Sequence, residues 1–105
     1  MEKILEKYPD RVPVMVNRKE KSDVPEIERH KYLVPKNMTV GNFIYIIRKH
    51  IKLSSDKALF VFIDNKLICN TEMMDTTYNK YKSDDGFLYV IYSGESTFGG
   101  LLHIQ

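Results

Sequence analysis

Residues 39–51 read TVGNFIYIIRKHI, and their spacing decides what fold can surround them. Val40, Phe43, Ile44, Ile47 and Ile51 recur at steps of three and four, so an α-helix gathers them on one face. Thr39 stands just ahead of that set, where a side-chain oxygen can cap the first free N–H groups. Upstream, Val12, Val14 and Val16 alternate with Pro13 and Met15, a strand with apolar groups on both faces. A polar stretch, 17–29, leads to a short strand over Lys31–Val34 that Pro35 ends. Downstream, Leu59–Ile63 is a continuous apolar run of strand length, followed by an Asp64-Asn65 turn and a return strand over Lys66–Cys69. Thr71 is placed to cap a second helix carrying Met74, Tyr78 and Tyr81, which Asp84-Asp85-Gly86 ends. Phe87–Tyr92 reads as the last strand, and residues 2–8 as the last turns of a helix stopped by Pro9.

This order is strand, strand, helix, strand, strand, helix, strand, with no repeat and no low-complexity tract. Helices that occur only in crossovers, with few strands, predict an α+β fold: one mixed sheet with helices packed on it. The crossover requires a parallel partner for an early strand, while the two hairpins are antiparallel. A ubiquitin-like β-grasp with a mixed four- to five-stranded sheet satisfies all of this.

With 105 residues, 43% hydrophobic and 29% charged, the chain suits one domain with a modest core. Its net charge of +2 is unevenly placed, because residues 83–105 hold Asp84, Asp85 and Glu95 and no Lys or Arg. The basic clusters Arg29, His30, Lys31 and Arg48, Lys49, His50, Lys52 read as a strand end and a solvated helix face. A near-neutral chain with no nucleic-acid motif is a poor phosphate binder, so no nucleic-acid partner is expected. Cys69 is the only cysteine, which excludes an intramolecular disulfide and a cysteine-based metal site; no metal or cofactor is expected. MEKILEKYPD lacks the apolar core of a signal peptide, and no stretch reaches the roughly 20 apolar residues of a membrane span.

The strings KYPDRVPVMV, KYLVP, TVGNFIYIIRKHI and DDGFLYVIYSGESTFG resemble the autophagy ubiquitin-like modifier family, which includes GABA-receptor-associated protein and the microtubule-associated light chain 3 proteins. The resemblance covers about residues 2–99. Two amino-terminal helices usually precede the KYPDR string, so it implies a shortened amino-terminal extension here. It also implies a conjugation tail. The residues alone leave two cleavage points, after Gly99 or after Gly100; the family pattern favours cleavage by a cysteine protease after Gly99, which follows Phe98, leaving residues 1–99 as the ubiquitin-like domain and removing 100–105. Activating and conjugating enzymes would then carry the Gly99 carboxylate to phosphatidylethanolamine. Glycine suits a tail that must thread a narrow channel, because it has no Cβ. At about 0.8 kcal/mol per buried CH₂, two acyl chains anchor stably where one is marginal. The implied location is cytoplasmic, and autophagosomal membrane after lipidation.

The resemblance further implies that the second strand is a sheet edge where a short acidic aromatic-x-x-aliphatic motif, from cargo receptors and adaptors, adds as a strand. Its aromatic pocket would be Ile4, Pro13, Met15, Lys31, Leu33 and Phe87. Its aliphatic pocket would be Tyr32, Val34, Pro35, Met38, Phe43 and Ile46, with Phe43 also serving the core. Met15 and Met38 stand where relatives commonly carry Ile and Leu, softening both pockets. Arg11, Arg29, Lys49 and His50 would face the motif's acidic flank, with Arg48 nearby. His50 stands where relatives usually carry Arg, and a histidine is mostly neutral near pH 7, so affinity for acidic motifs is expected to rise toward pH 6. Cys69 and Asn70 stand where a proline pair is usual.

Catalysis is not expected. Cys69 with His30, His50 or His103 is the only nucleophile pairing, without supporting spacing, and Cys69 reads as a small buried or edge residue. Two functions remain: a conjugated tag, or a noncovalent peptide-binding module whose tail is unused. They share the binding face and differ at Phe98, Gly99 and LLHIQ, which favour the tag. Tyr78, Tyr81, Tyr89 and Tyr92 are expected at the core or its rim with hydroxyls in water.

Overall fold

A computed structural model of the chain describes residues 9–95. Val12, Val14 and Val16 lie along β1 (Arg11–Arg18), whose alternate side chains are buried on one face. β2 (Lys31–Pro35) pairs antiparallel with it, Pro13 opposite Leu33 and Met15 opposite Lys31. Helix α1 (Val40–Ile51) follows, then the hairpin β3 (Phe60–Ile63) and β4 (Lys66–Leu67), helix α2 (Met74–Tyr81) and β5 (Leu88–Ser93). The sheet order is β2-β1-β5-β3-β4, with β5 parallel to β1 and antiparallel to β3. That is the ubiquitin-like arrangement, a mixed five-stranded sheet with both crossovers helical.

The apolar stripe of α1 is buried as its spacing predicts: Val40, Phe43, Ile44, Ile47 and Ile51. It lies among Val12, Val14, Val16, Tyr32, Val34, Leu88, Val90 and Tyr92 of the core. Thr39 Oγ1 accepts from the Asn42 N–H at 3.1 Å and closes the helix start. At the other end Lys52 turns left-handed at φ 56°, and the basic residues Arg48, Lys49 and His50 occupy the last turn, where the helix dipole favours cations. Asp64 and Asn65 both have positive φ, 55° and 63°, which is what a tight two-residue hairpin turn requires.

Three expectations need correction. Thr71 does not cap α2: the cap position is Met73, without a side-chain bond, and the Thr71 hydroxyl lies 3.1 Å from Cys69 Sγ instead. Backbone pairing replaces the cap, because Thr39 and Met73 form an antiparallel bridge and the Met74 N–H donates to Met38 O at 2.7 Å. The polar stretch between β1 and β2 is not merely a linker, since Val24 and Ile27 join the core and Ser22 is buried. Arg18 holds that stretch by donating to Ser22 O at 2.9 Å and Val24 O at 3.0 Å and pairing with Glu26 at 3.1 Å. Third, three of the four tyrosine hydroxyls are bonded within the protein rather than left to water, that of Tyr89, which is exposed rather than at the core, donating to Asp85 Oδ2 at 2.6 Å. Tyr92, 0% exposed, donates to Pro25 O at 2.7 Å, and Tyr78 to Gly86 O at 2.6 Å. A buried phenol needs a partner, and these carbonyls are within reach. Burial holds the Tyr92 hydroxyl neutral, with its pKa pushed up to about 12.

The return strand is two residues long rather than four, and Cys69 is exposed beyond it. The bond with Thr71 draws the Cys69 thiol pKa below its ordinary value. The helix expected over residues 2–8 lies outside the described residues. Among the described residues, no helix is long and apolar enough to cross a membrane, and no group of three metal-binding side chains forms.

Candidate functional site

β2 forms one edge of the sheet, and its hydrogen-bond register shows which backbone groups are free. The Val16 N–H donates to His30 O at 2.8 Å, which fixes these two as a hydrogen-bonded position of the ladder. His30 Nδ1–H donates back to Val16 O at 2.8 Å, extending the pairing past the strand end. Antiparallel alternation then turns the backbone of Tyr32 and Val34 toward β1 and that of Lys31 and Leu33 outward. Both outward carbonyls are occupied by arginines. Arg29 Nε–H donates to Lys31 O at 3.1 Å, and an Arg11 guanidinium N–H to Leu33 O at 3.3 Å.

Side chains of β2 alternate too. Lys31, Leu33 and Pro35 share the sheet face away from α1, while Tyr32 and Val34 point into the core. On the open face a cavity of about 280 Å³ is lined by Pro13, Arg29, Lys31, Tyr32, Leu33 and Phe87. Of the residues expected in the aromatic pocket, Pro13, Lys31, Leu33 and Phe87 thus come together. Met15 lies half-buried on β1 opposite Lys31 and outside that lining, and Ile4 lies outside the described residues. The Lys31 ammonium sits 6.0 Å from the Phe87 ring centroid, so the rim is cationic and its floor apolar.

On the helix side a second cavity, of about 370 Å³, is lined by Ile46, Lys49 and His50. Pro35, Met38 and Ile46 are half-buried, whereas Tyr32, Val34 and Phe43, also expected around the aliphatic pocket, are core side chains at 7%, 3% and 1% exposure. Phe43 and His50 both meet the Tyr32 ring edge-on, with centroids 5.8 and 5.5 Å away. The Arg29 guanidinium covers that ring at 5.3 Å. Burial raises the Tyr32 pKa, and Arg29 opposes the rise. Its hydroxyl is buried and has no hydrogen-bond partner among the described residues. Lys49 lies over the exposed Tyr45 ring at 5.3 Å, and Arg48 turns away to Ser54 O at 2.8 Å. Phe98 and Gly99 lie outside the described residues.

The pattern missed in the sequence is the pair of arginine bonds on the edge carbonyls. Nothing in a charge cluster distinguishes a guanidinium aimed at a carbonyl from one in water. Phe87 is 54 positions from Leu33, and only the β1–β5 pairing brings it beside the edge.

A sheet-edge strand with a cavity on either face, one floored by Pro13, Leu33 and Phe87 and one lined by Ile46, Lys49 and His50, and a cationic rim together suit an extended acidic peptide. Successive strand side chains point to opposite faces, so a bound strand reaches both cavities with two anchors an odd number of residues apart.

Comparison with known proteins identifies the family. The family model described as "Autophagy protein Atg8 ubiquitin like" matches residues 1–99. Autophagy-related protein 8e of Arabidopsis thaliana is 58% identical over 97 residues, spanning 92% of this chain and 80% of that relative. The structure of Trypanosoma brucei ATG8 aligns with a TM-score of 0.86 at 43% identity, covering 93% of this chain and 84% of the other. The structure of Plasmodium falciparum Atg8 in complex with a Plasmodium falciparum Atg3 peptide aligns at 0.82 and 38% identity, covering 92% and 86%. On the ubiquitin-like fold, the matched family model and these identities, the chain belongs to the Atg8 family of autophagy-related ubiquitin-like proteins.

Proposed function

We propose that this chain is a conjugated tag of autophagy. A cysteine protease trims it after Gly99, an activating enzyme adenylates the new carboxylate, and thioesters pass it to a conjugating enzyme and on to the amine of phosphatidylethanolamine. The membrane-held domain then recruits cargo receptors and adaptors through acidic aromatic-x-x-aliphatic motifs added to β2. The aromatic anchor enters the cavity of Pro13, Lys31, Leu33 and Phe87, and the aliphatic one the helix-side cavity at Ile46, whose lining does not include Pro35 or Met38. Arg11, Arg29, Lys49 and His50 attract the acidic flank, which mainly raises association rate and specificity.

The open β2 edge with a cavity on each face supports the peptide-binding part of this reading, and the Phe98-Gly99 end of the matched family model, followed by LLHIQ, is the observation that favours the tag. A relative of the same fold solved with an Atg3 peptide supports a conjugating enzyme as a partner. Membership of a ubiquitin-like family supports a role as modifier rather than enzyme, with the chain cytoplasmic until lipidation takes it to the autophagosomal membrane.

The test is an intact mass after incubation in an extract of its own source, wild type against Gly99→Ala. Loss of residues 100–105 from the wild type alone is expected. An unchanged mass, in an extract that trims its endogenous modifier, would leave a peptide-binding module with an unused tail.

A further inference from the structure

Residues 95–101 read Glu95-Ser-Thr-Phe98-Gly-Gly-Leu101, which is itself an acidic residue followed by an aromatic and, three positions on, an aliphatic one. We infer that, before trimming, this segment of one copy docks on the β2 edge of a second copy. The inference rests on the peptide-binding reading of that edge and names one of its occupants.

The spacing suits the edge. In an added strand Phe98 and Leu101 fall on opposite faces, as do the cavity at Leu33 and Phe87 and the one at Ile46 and His50. Charge is complementary as well. Residues 83–105 carry Asp84, Asp85 and Glu95 without a Lys or Arg, and the edge carries the cations Arg11, Arg29, Lys31 and Lys49.

The chain's own edge is out of reach. β5 runs parallel to β1 with Tyr92 level with Arg18, and Gly94 beyond it is tied by its N–H to Ser22 Oγ at 3.2 Å. The cavity lies at the level of Pro13 and Leu33, five residues back along β1. At about 3.3 Å per residue that is about 17 Å before any sideways step across the sheet. The four residues from the tied Gly94 to Phe98 span at most about 14 Å. Docking is therefore between copies, either reciprocal in a closed pair or head-to-tail in an open chain.

Trimming after Gly99 removes Leu101 and so deletes the aliphatic anchor. An untrimmed chain occupies edges that external motifs need, and a trimmed one leaves them free. Protease cleavage would then release the binding edge as well as exposing the carboxylate.

Sedimentation of the full 105-residue chain over a concentration series tests this. A single short motif supports a dissociation constant of about 100 µM, so average mass should rise above the monomer in that range. Leu101→Asp in the tail or Leu33→Asp at the edge should each weaken association about tenfold or more. Mixing the two variants should restore a one-to-one complex, since one keeps an intact edge and the other an intact tail. Arg29→Glu, on an exposed side chain, serves should Leu33→Asp fail to fold, and should weaken association several-fold. A synthetic acidic aromatic-x-x-aliphatic peptide should dissolve the assembly. Monomer throughout, or association untouched by Leu101→Asp, would overturn the inference. If the peptide still binds in that case, the edge reading stands and only self-docking falls; if it does not, both fall.

Discussion

The sheet has two edges, and they differ in length, in charge and in the cavities beside them. β4 is two residues long, Lys66 and Leu67, and its lysine lies over the Tyr81 ring at 5.6 Å. Leu67 is 53% exposed and is not among the residues lining the cavity of about 390 Å³ at Ile63, Asp64 and Tyr81 on the same hairpin side. β2 is five residues long, with a cavity on each face and cations along its rim. On the proposed reading, length, flanking cavities and charge of one sign, rather than unpaired backbone alone, make β2 the docking edge. Its two free carbonyls are also held by Arg29 and Arg11, so an incoming strand must displace those bonds. That protects the edge against indiscriminate pairing.

The strongest way to break this comparison is to remove what supports β2 from behind. Phe43, 1% exposed, meets the Tyr32 ring edge-on. Phe43→Ala is expected to lower unfolding stability by about 3–5 kcal/mol, as deletion of a buried ring does. Tyr81, half-buried behind β4, packs only at the core margin, and Tyr81→Ala is expected to cost about 1 kcal/mol. Urea unfolding of both variants measures the difference. Equal losses would mean that the two edges are supported alike.

Next is a direct contrast on the two edges themselves. Leu33→Asp places a carboxylate in the open-face cavity, and Leu67→Asp places one on β4. Calorimetric titration with an acidic aromatic-x-x-aliphatic peptide should show at least a tenfold loss for the first and no more than about twofold change for the second. A similar loss for both would place the peptide elsewhere.

Much of this contrast was legible in the sequence, and the parts that were not share a cause. Period and turn chemistry announced α1, the Asp64-Asn65 hairpin and the strand order, because each is a local pattern with one geometric solution. Thr71 was read as a helix cap from the same kind of local rule, yet the Thr39–Met73 bridge supplies the start of α2 from 34 positions away. Val24 and Ile27 hid in a polar stretch because two isolated apolar residues carry no period. The open edge followed from topology, but the Arg29 and Arg11 bonds that guard it are rotamer choices, which charge patterning does not encode.

The smallest effect sharpens the comparison most, because one substitution should carry opposite signs on the two sides. Behind β2, the Tyr32 hydroxyl is buried without a partner among the described residues; on the α2 side, the Tyr78 hydroxyl donates to Gly86 O at 2.6 Å. An unmade bond leaves the desolvation cost unrelieved, so Tyr32→Phe should leave stability unchanged or raise it by about 1 kcal/mol. Tyr78→Phe deletes a made bond and strands a carbonyl, so it should lose about 1 kcal/mol. Alkaline pH gives an independent reading. Burial raises both hydroxyl pKa values above the ordinary phenol value, so the folded state holds those protons longer than the unfolded chain. That contribution is complete below the unfolded pKa of about 10 and is lost as pH climbs through the folded values. Each Phe variant should therefore lose less stability than wild type between neutral and strongly alkaline pH. If Tyr32→Phe instead costs as much as Tyr78→Phe at neutral pH, the Tyr32 hydroxyl has a partner, and β2 is tied to its surroundings more firmly than a free docking edge should be.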